Sequence, residues 1–300
     1  MLTLEQLAEL FEKNRAAAAA RVKEFSIGGR QFNFNSEPAV MGVVNLSADS
    51  WYRESVCLSA ESAIERGRVL SAQGADIVDV GAESTLANAA RASDPLQKSK
   101  LIPVIKALRA KNVLVSVETY SPAVARASLD AGANILNLTG NANSKEVFKM
   151  AAAHDAAVIV CYVQGKNVRA VRNFDLTADP IEAMREYFQR QIEIADRNGL
   201  KKLFLDPGLG FYYRNLQDGR VRVRHQMTVF LNTFRLRMLG FPICHALPHA
   251  FEFFQDEVRC AEPFFAVLAS LGRTDLFRTH EVPRIRAVLE TLSVVEALKR

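Results

Sequence analysis

Apolar residues along this 300-residue chain fall into two alternating rhythms from about residue 40 to the C-terminus. Short apolar runs, several rich in Val and Ile, occur at Val40–Val44, Ile77–Val80, Val113–Val117, Ile135–Leu138, Val158–Cys161, Leu203–Leu205, Phe241–Cys244 and Leu276–Phe277. Unbroken runs of this kind suit strands buried on both faces of a parallel sheet. Between them, apolar positions recur at helical spacing, which predicts helices at Ala60–Gln73, Pro122–Ala131, Ser144–His154 and Pro180–Asn198, among others. Gly74, Gly132, Gly199 and Gly240 each sit just past a helix and before a strand, where a left-handed C′ residue is wanted. Strand and helix alternating eight times predicts an α/β fold, a (β/α)8 TIM barrel. A doubly wound sheet fits the same rhythm but usually has fewer strands.

The first 35 residues follow other rules. Residues 3–23 predict a helix, with Thr3 and Gln6 placed as a capping box and Leu4, Leu7, Leu10 and Phe11 at helical spacing. FSIGGRQFNF, residues 25–34, predicts a β-hairpin turning at Gly28-Gly29. The expected organisation is an N-terminal helical extension, residues 1–24, followed by a single (β/α)8 barrel domain, residues 25–300, with 49% hydrophobic residues to fill its core. The formal net charge is +5, which reads as a solvated surface or as attraction for an anionic substrate. No block of five like charges is present, which argues against a nucleic-acid arm. Cys57, Cys161, Cys244 and Cys260 are scattered and form no C-x-x-C pair, so neither a disulfide framework nor a structural zinc site is expected. There is no signal-peptide core and no long apolar run, so the expected location is cytoplasmic, with no membrane partner.

In such barrels the chemistry sits on the loops after the strands. The residues there are polar: Asn45, Asp79 and Glu83-Ser84-Thr85, Glu118, Asn137, Asp206, and Arg278-Thr279-His280. A carboxylate accepts from paired N–H groups, and a carboxamide both donates and accepts. Glu118, Asn137 and Asp206 together would suit a flat heterocycle rich in N–H and C=O, such as a pterin. The alternative is that these polar residues cap the following helices, which fits Ser121 and Asn143 better than residues at a strand's own end. Gly208 and Gly210 are weak evidence alone. The chain has no GxxxxGK[ST], and no GxGxxG follows the first strand, which argues against nucleotide binding.

Six segments in order resemble the dihydropteroate synthase family of pterin-binding barrels. Met41–Trp51, MGVVNLSADSW, is similar to that family's opening MGI-N-[VL]-TPDSF. GADIVDVGAEST (74–85), SVETY (116–120), AGANILN (131–137), LDPGLGF (205–211) and RTHEV (278–282) resemble its later signatures. The resemblance implies that Glu118, Asn137 and Asp206 hold the pterin ring. It also implies that Asn45, Arg278 and His280 form an anion pocket for pyrophosphate, with Asn45 a ligand of Mg2+ and no other cofactor. Thr85 would lie towards a second substrate. A homodimer is implied too, and the aromatic stretch Phe251–Phe265 would then be either core or interface.

The departures from the family pattern cluster. Its Ser-Arg-Lys stretch after the seventh strand is replaced by Cys244–Phe251, CHALPHAF, with no Arg or Lys before Arg259. His249 is the nearest candidate for a substitute cation, so Asp206 and His249 are the catalytic candidates. Leu86-Ala87-Asn88 stands where the family has Arg-Pro-Gly, Tyr52-Arg53-Glu54 where it has Asp-Gly-Gly, and Tyr212-Tyr213-Arg214 begins where it has Gly-Lys. Glu118 replaces an Asp, and Leu138 an acid. The resemblance therefore implies a divergent paralogue: a transferase acting on a pterin or pterin pyrophosphate in folate or modified-folate metabolism, other than standard dihydropteroate synthesis. A pterin-dependent methyltransferase and a non-catalytic pterin-binding protein are the alternatives.

Overall fold

The structure, a computed structural model, describes residues 2–297 except 48, 50–54, 86–88, 171–172, 178 and 212. The altered loop residues Tyr52-Arg53-Glu54, Leu86-Ala87-Asn88 and Tyr212 lie outside the described residues.

The strands are β1 (Phe25–Ile27), β2 (Arg30–Phe32), β3 (Ala39–Asn45), β4 (Ile77–Gly81), β5 (Leu114–Thr119), β6 (Ile135–Leu138), β7 (Ala157–Cys161), β8 (Leu203–Asp206), β9 (Cys244–Ala246) and β10 (Leu276–Thr279). The α-helices are α1 (Leu4–Lys13), α2 (Arg15–Ala18), α3 (Ala60–Ala72), α4 (Asp94–Arg109), α5 (Pro122–Asp130), α6 (Ser144–Ala153), α7 (Pro180–Arg197), α8 (Gly219–Asn232), α9 (Phe251–Phe254), α10 (Ala261–Leu271) and α11 (Val282–Ala297). β3 to β10 form one parallel sheet in the order β8-β7-β6-β5-β4-β3-β10-β9. A parallel bridge from Leu205 to Ile243 joins its two edges and closes the TIM barrel.

Most predicted elements appear within a residue or two. The seventh strand is a correction: the run Phe241–Cys244 predicted it, but the ladder begins at Cys244. Pro242 has no N–H to donate, and it contributes only its carbonyl, which accepts from Leu205 N at 2.9 Å. The helix predicted over 3–23 is a second correction. It breaks at Asn14 (φ −130°), whose amide Nδ2 donates to the Leu10 carbonyl at 2.9 Å, and α2 ends by Ala18. The capping box at Thr3 and Gln6 is present as predicted.

Residues 19–37 are tied to the N-terminal end of the barrel. Lys23 N donates to Gly240 O at 2.9 Å, and the buried Arg237–Asp275 ion pair also reaches Asn35 and the Ala20 carbonyl. The β1–β2 hairpin turns through Gly28 and Gly29, both at positive φ (55° and 86°). A Cβ at Gly28 would meet Asn134 Nδ2 and Leu114 Cδ2 at 2.7 Å, so the hairpin presses directly on the barrel. Ile27, Phe32 and Phe34 plug the barrel floor, with Phe25 and Phe34 packed edge-on against Phe204 at 5.3 and 5.2 Å.

Strand alternation then sorts the barrel interior. Residues of one parity face inward and those of the other pack on the helices. The inward series at the floor is apolar: Met41, Ile77, Leu114, Ile135, Ala157, Ile159, Phe204, Cys244 and Leu276. The outward series, including Val40, Val44, Val78, Val80, Val115 and Val117, packs under the helices. Counting upward by two from the floor brings polar residues to the C-terminal mouth: Asn45, Asp79, Glu118, Asn137, Asp206 and Arg278. The fold thus seals one end and concentrates polar groups at the other. Among the described residues, no helix is long and apolar enough to cross a membrane.

Candidate functional site

The ladder register sets the mouth. Glu118 lies beside Asn137, Cys161 beside Asp206, and Arg278 beside Met41 and Ala246. Glu118, Asn137 and Asp206, expected to act together, are therefore carried by strands that share one rim. Asn45, Thr85, Glu118, His249, Arg278 and His280 all line one cavity there. A larger cavity of about 470 Å³ lies at the opposite end, beneath the hairpin. Three of its arginines, Arg30, Arg286 and Arg237, are engaged by Asp76 and Asp275, so it holds structural ion pairs. The smaller cavity is lined by Glu118, Arg278, His249 and His280, though not by Asn137 or Asp206, and lies where barrel loops are free to vary, so it is the candidate site.

Arg278 is the hub of the mouth. Its Nε donates to Asp79 Oδ2 at 2.8 Å, and Nη2 donates to Glu118 Oε2. Asn137 Nδ2 donates to the same Asp79 oxygen at 3.1 Å. Two residues assigned from sequence to different subsites, Glu118 and Arg278, are thus in direct contact. Asp79, though one of the polar strand-end residues, was assigned no role from the sequence. It is completely buried, and its second oxygen, Oδ1, has no hydrogen-bond partner among the described residues. Its signal was present: a lone acid inside the apolar run Ile77–Val80 must be buried on one face.

Three carboxylates face one guanidinium here. Burial first, and then the charges of Asp79, Asp206 and Glu83, push Glu118 up to about 7, against the pull of Arg278. Burial pushes Asp206 up to about 6, although the Gly208 N–H and Arg278 pull it down. Burial would lower Arg278, but Asp79 and Glu118 more than offset it and hold the guanidinium charged. Near neutrality Glu118 and Asp206 are therefore poised to accept from N–H donors or to take protons.

Asp206 is partly spent on its own turn: Gly208 N donates to Oδ1 at 2.8 Å. Gly208 has φ +77°, and a Cβ there would meet the Tyr162 carbonyl at 2.6 Å, so the DPGLG turn requires glycine. Of the two residues offered as plain helix caps, Ser121 accepts from Val124 N, whereas Asn143 makes no side-chain cap bond. Asn45 donates from Nδ2 to Ser55 Oγ at 2.6 Å.

His249 and His280 both turn to Glu262, the second residue of α10. His280 Nδ1 lies 2.7 Å from Glu262 Oε1, and His249 Nε2 lies 3.1 Å from it. The imidazole rings are 5.1 Å apart. Burial would raise Glu262, but His280 and His249 hold it well below the ordinary carboxylate range. Burial lowers His280, with Glu262 opposing. His245, in the same segment, serves the core: its Nε2 lies 2.8 Å from Thr233 Oγ1, and burial lowers it to about 3.

The loop after β4 is clamped from across the barrel. Arg169, with a side chain only 4% exposed, donates to the carbonyls of Ser84 (2.7 Å) and Ala89. Neither Glu262 nor Arg169 carried a sequence signal. Both act through tertiary contacts from elements distant in the chain.

The sequence matches the family of pterin-binding enzymes over residues 41–246. A dihydropteroate synthase of Synechocystis is 29% identical over 286 residues, 91% of this chain and 94% of that protein. One of Clostridium beijerinckii is 30% identical over 224 residues, 72% and 76% of the two chains. The fold is similar to that of the Yersinia pestis dihydropteroate synthase bound to a sulfonamide drug, with TM-score 0.78 at 21% identity over 92% of this chain and all of the other. It is also similar to the Xanthomonas albilineans enzyme with 4-aminobenzoic acid, with TM-score 0.77 at 24% identity over 92% and 99%. This chain belongs to the dihydropteroate synthase family of pterin-binding enzymes.

Proposed function

We propose that the barrel mouth binds a pterin and that the chain is a transferase acting on a pterin pyrophosphate, with chemistry at the second substrate that differs from standard dihydropteroate synthesis. The observation that carries this reading is the convergence of Glu118, Asn137 and Asp206 with Asp79 and Arg278. Three carboxylates against one guanidinium leave an excess of acceptors, and a pterin edge offers the complementary N–H donors. In this reading Glu118 exchanges Arg278 for ring N–H groups, and Arg278 turns to the departing anion beside His280.

In this reading Asp206 stabilises positive charge developing at the pterin side chain. Asn45 offers a neutral donor of the kind that suits Mg2+ held mainly by phosphate oxygens and water. Such an ion, when bound, neutralises charge on the leaving group. Thr85, on the clamped loop after β4, is assigned in this reading to the second substrate. The replacement of Ser-Arg-Lys by a segment whose His249 is committed to Glu262 supports a changed second step. A late-helix homodimer fits the exposed residues Phe264, Val267 and Leu271, spaced along one face of α10.

The test is calorimetric titration with a pterin, a pterin pyrophosphate and methyltetrahydrofolate, followed by a pyrophosphate-release assay with a panel of arylamines. Pterin pyrophosphate binding with release dependent on one amine is the expected result. Pterin binding without release for any amine would make the chain a non-catalytic pterin binder. Preference for methyltetrahydrofolate would make it a methyltransferase component, and binding of none of these would overturn the reading.

A further inference from the structure

We propose that His249, Glu262 and His280 form a binding site for a divalent transition-metal cation of the zinc class, set into the wall of the barrel mouth. One donor atom from each residue lies within 4.8 Å of the others. The three come from separate elements: the segment after β9, the first turn of α10 and the end of β10. Nothing local in the chain brings them together, so the fold itself assembles the set.

The carboxylate is oriented as a ligand would be. Glu262 Oε2 accepts from Thr279 Oγ1, from His280 N at 3.0 Å and from Glu281 N at 3.3 Å. Oε1 accepts a longer bond from His280 N at 3.3 Å and is the atom that both imidazoles approach. Glu262 is wholly buried and His249 is 6% exposed, so the donors are desolvated and held in place. Fixing one carboxylate oxygen through a shell of hydrogen bonds is how proteins orient a metal-binding carboxylate.

Two imidazoles and one carboxylate favour borderline divalent ions such as Zn2+ over Mg2+, which prefers all-oxygen shells. This donor set thus differs from the single amide oxygen that Asn45 could offer. Three protein donors leave a tetrahedral ion one open position. His249 and His280 both line the mouth, so that position falls to water or to an anionic oxygen of a ligand. The inference goes beyond the pterin reading and does not depend on it.

Titrating metal-free full-length protein with ZnCl2 alone, by calorimetry and by metal analysis after gel filtration, tests it. One equivalent is expected to bind. Glu262→Gln and His249→Ala are each expected to weaken it by more than about 100-fold. Cys260→Ser serves as a control, expected to leave binding unchanged. Co2+ in the wild-type protein is expected to give the visible bands of a four- or five-coordinate ion with no thiolate charge-transfer band, a readout that needs no variant to fold. No stoichiometric binding, binding that survives both substitutions in folded variants, or binding lost with Cys260 would overturn the proposal.

Discussion

Glu118 sits where its charge is disfavoured, and that has consequences in two directions. Its native pKa of about 7 lies above the ordinary 4.5. Between those values the native state keeps a proton that the unfolded chain has released. The contribution of Glu118 to stability therefore falls as pH rises from about 4.5 to about 7, and the penalty is complete above that. Asp206 acts the same way from 3.8 to about 6. Glu118→Gln is expected to flatten this dependence between about pH 4.5 and about 7, as followed by urea unfolding at each pH. The same substitution is expected to weaken pterin binding about 10- to 100-fold, the worth of a charged hydrogen bond, and to remove a rise in wild-type affinity through about pH 7. Asp79→Asn is expected to weaken the fold: it removes a buried partner of Arg278 and destabilises by about 3–5 kcal/mol in thermal or urea unfolding. At this scale the sequence was legible where a residue's type and strand position implied its direction, as at Glu118, Asn137 and Asp206. It was silent at Glu262, because a glutamate at the start of a helix gives no sign of the two histidines that tertiary folding sets against it.

The elements were more legible than the site, because apolar periodicity is itself the record of burial. Eight runs marked eight strands, and even the two-residue run Leu276–Phe277 grew into β10 once Arg278 and Thr279 joined the ladder. Where the periodicity misled, a backbone group was missing, as at Pro242, or a side chain diverted it, as at Asn14. The plug formed by the hairpin makes a clean separation testable. Phe34→Ala leaves a hole against Phe25, Phe32 and Phe204 and is expected to cost about 3–5 kcal/mol in urea unfolding. Because that hole is at the sealed end, pterin affinity measured well below the unfolding transition is expected to stay within about twofold; a larger loss would mean that floor and mouth are mechanically coupled.

The whole molecule exposes an apolar row on α10: Phe264 at 43%, Val267 at 38% and Leu271 at 55%. The aromatic stretch divides accordingly, with Phe265 fully buried and Phe264 facing out. Leu271→Lys is expected to convert a dimer to a monomer by light scattering coupled to gel filtration without loss of fold; a wild-type protein that is monomeric at every concentration would remove the interface reading. The pairing of Arg278 with Asp79 and Glu118 carries a last consequence, in the kinetics of encounter. The chain is positive overall, with a formal charge of +5, yet the guanidinium at the mouth presents no unbalanced field to an anion approaching from solution. A polyphosphate ligand would arrive without a long-range pull and gain Arg278 only after contact, as the carboxylates let go. Stopped-flow association rates are then expected to stay flat or to rise as ionic strength goes from about 0.01 to about 0.15 M, whereas a site with a free basic funnel would bind more slowly with every addition of salt.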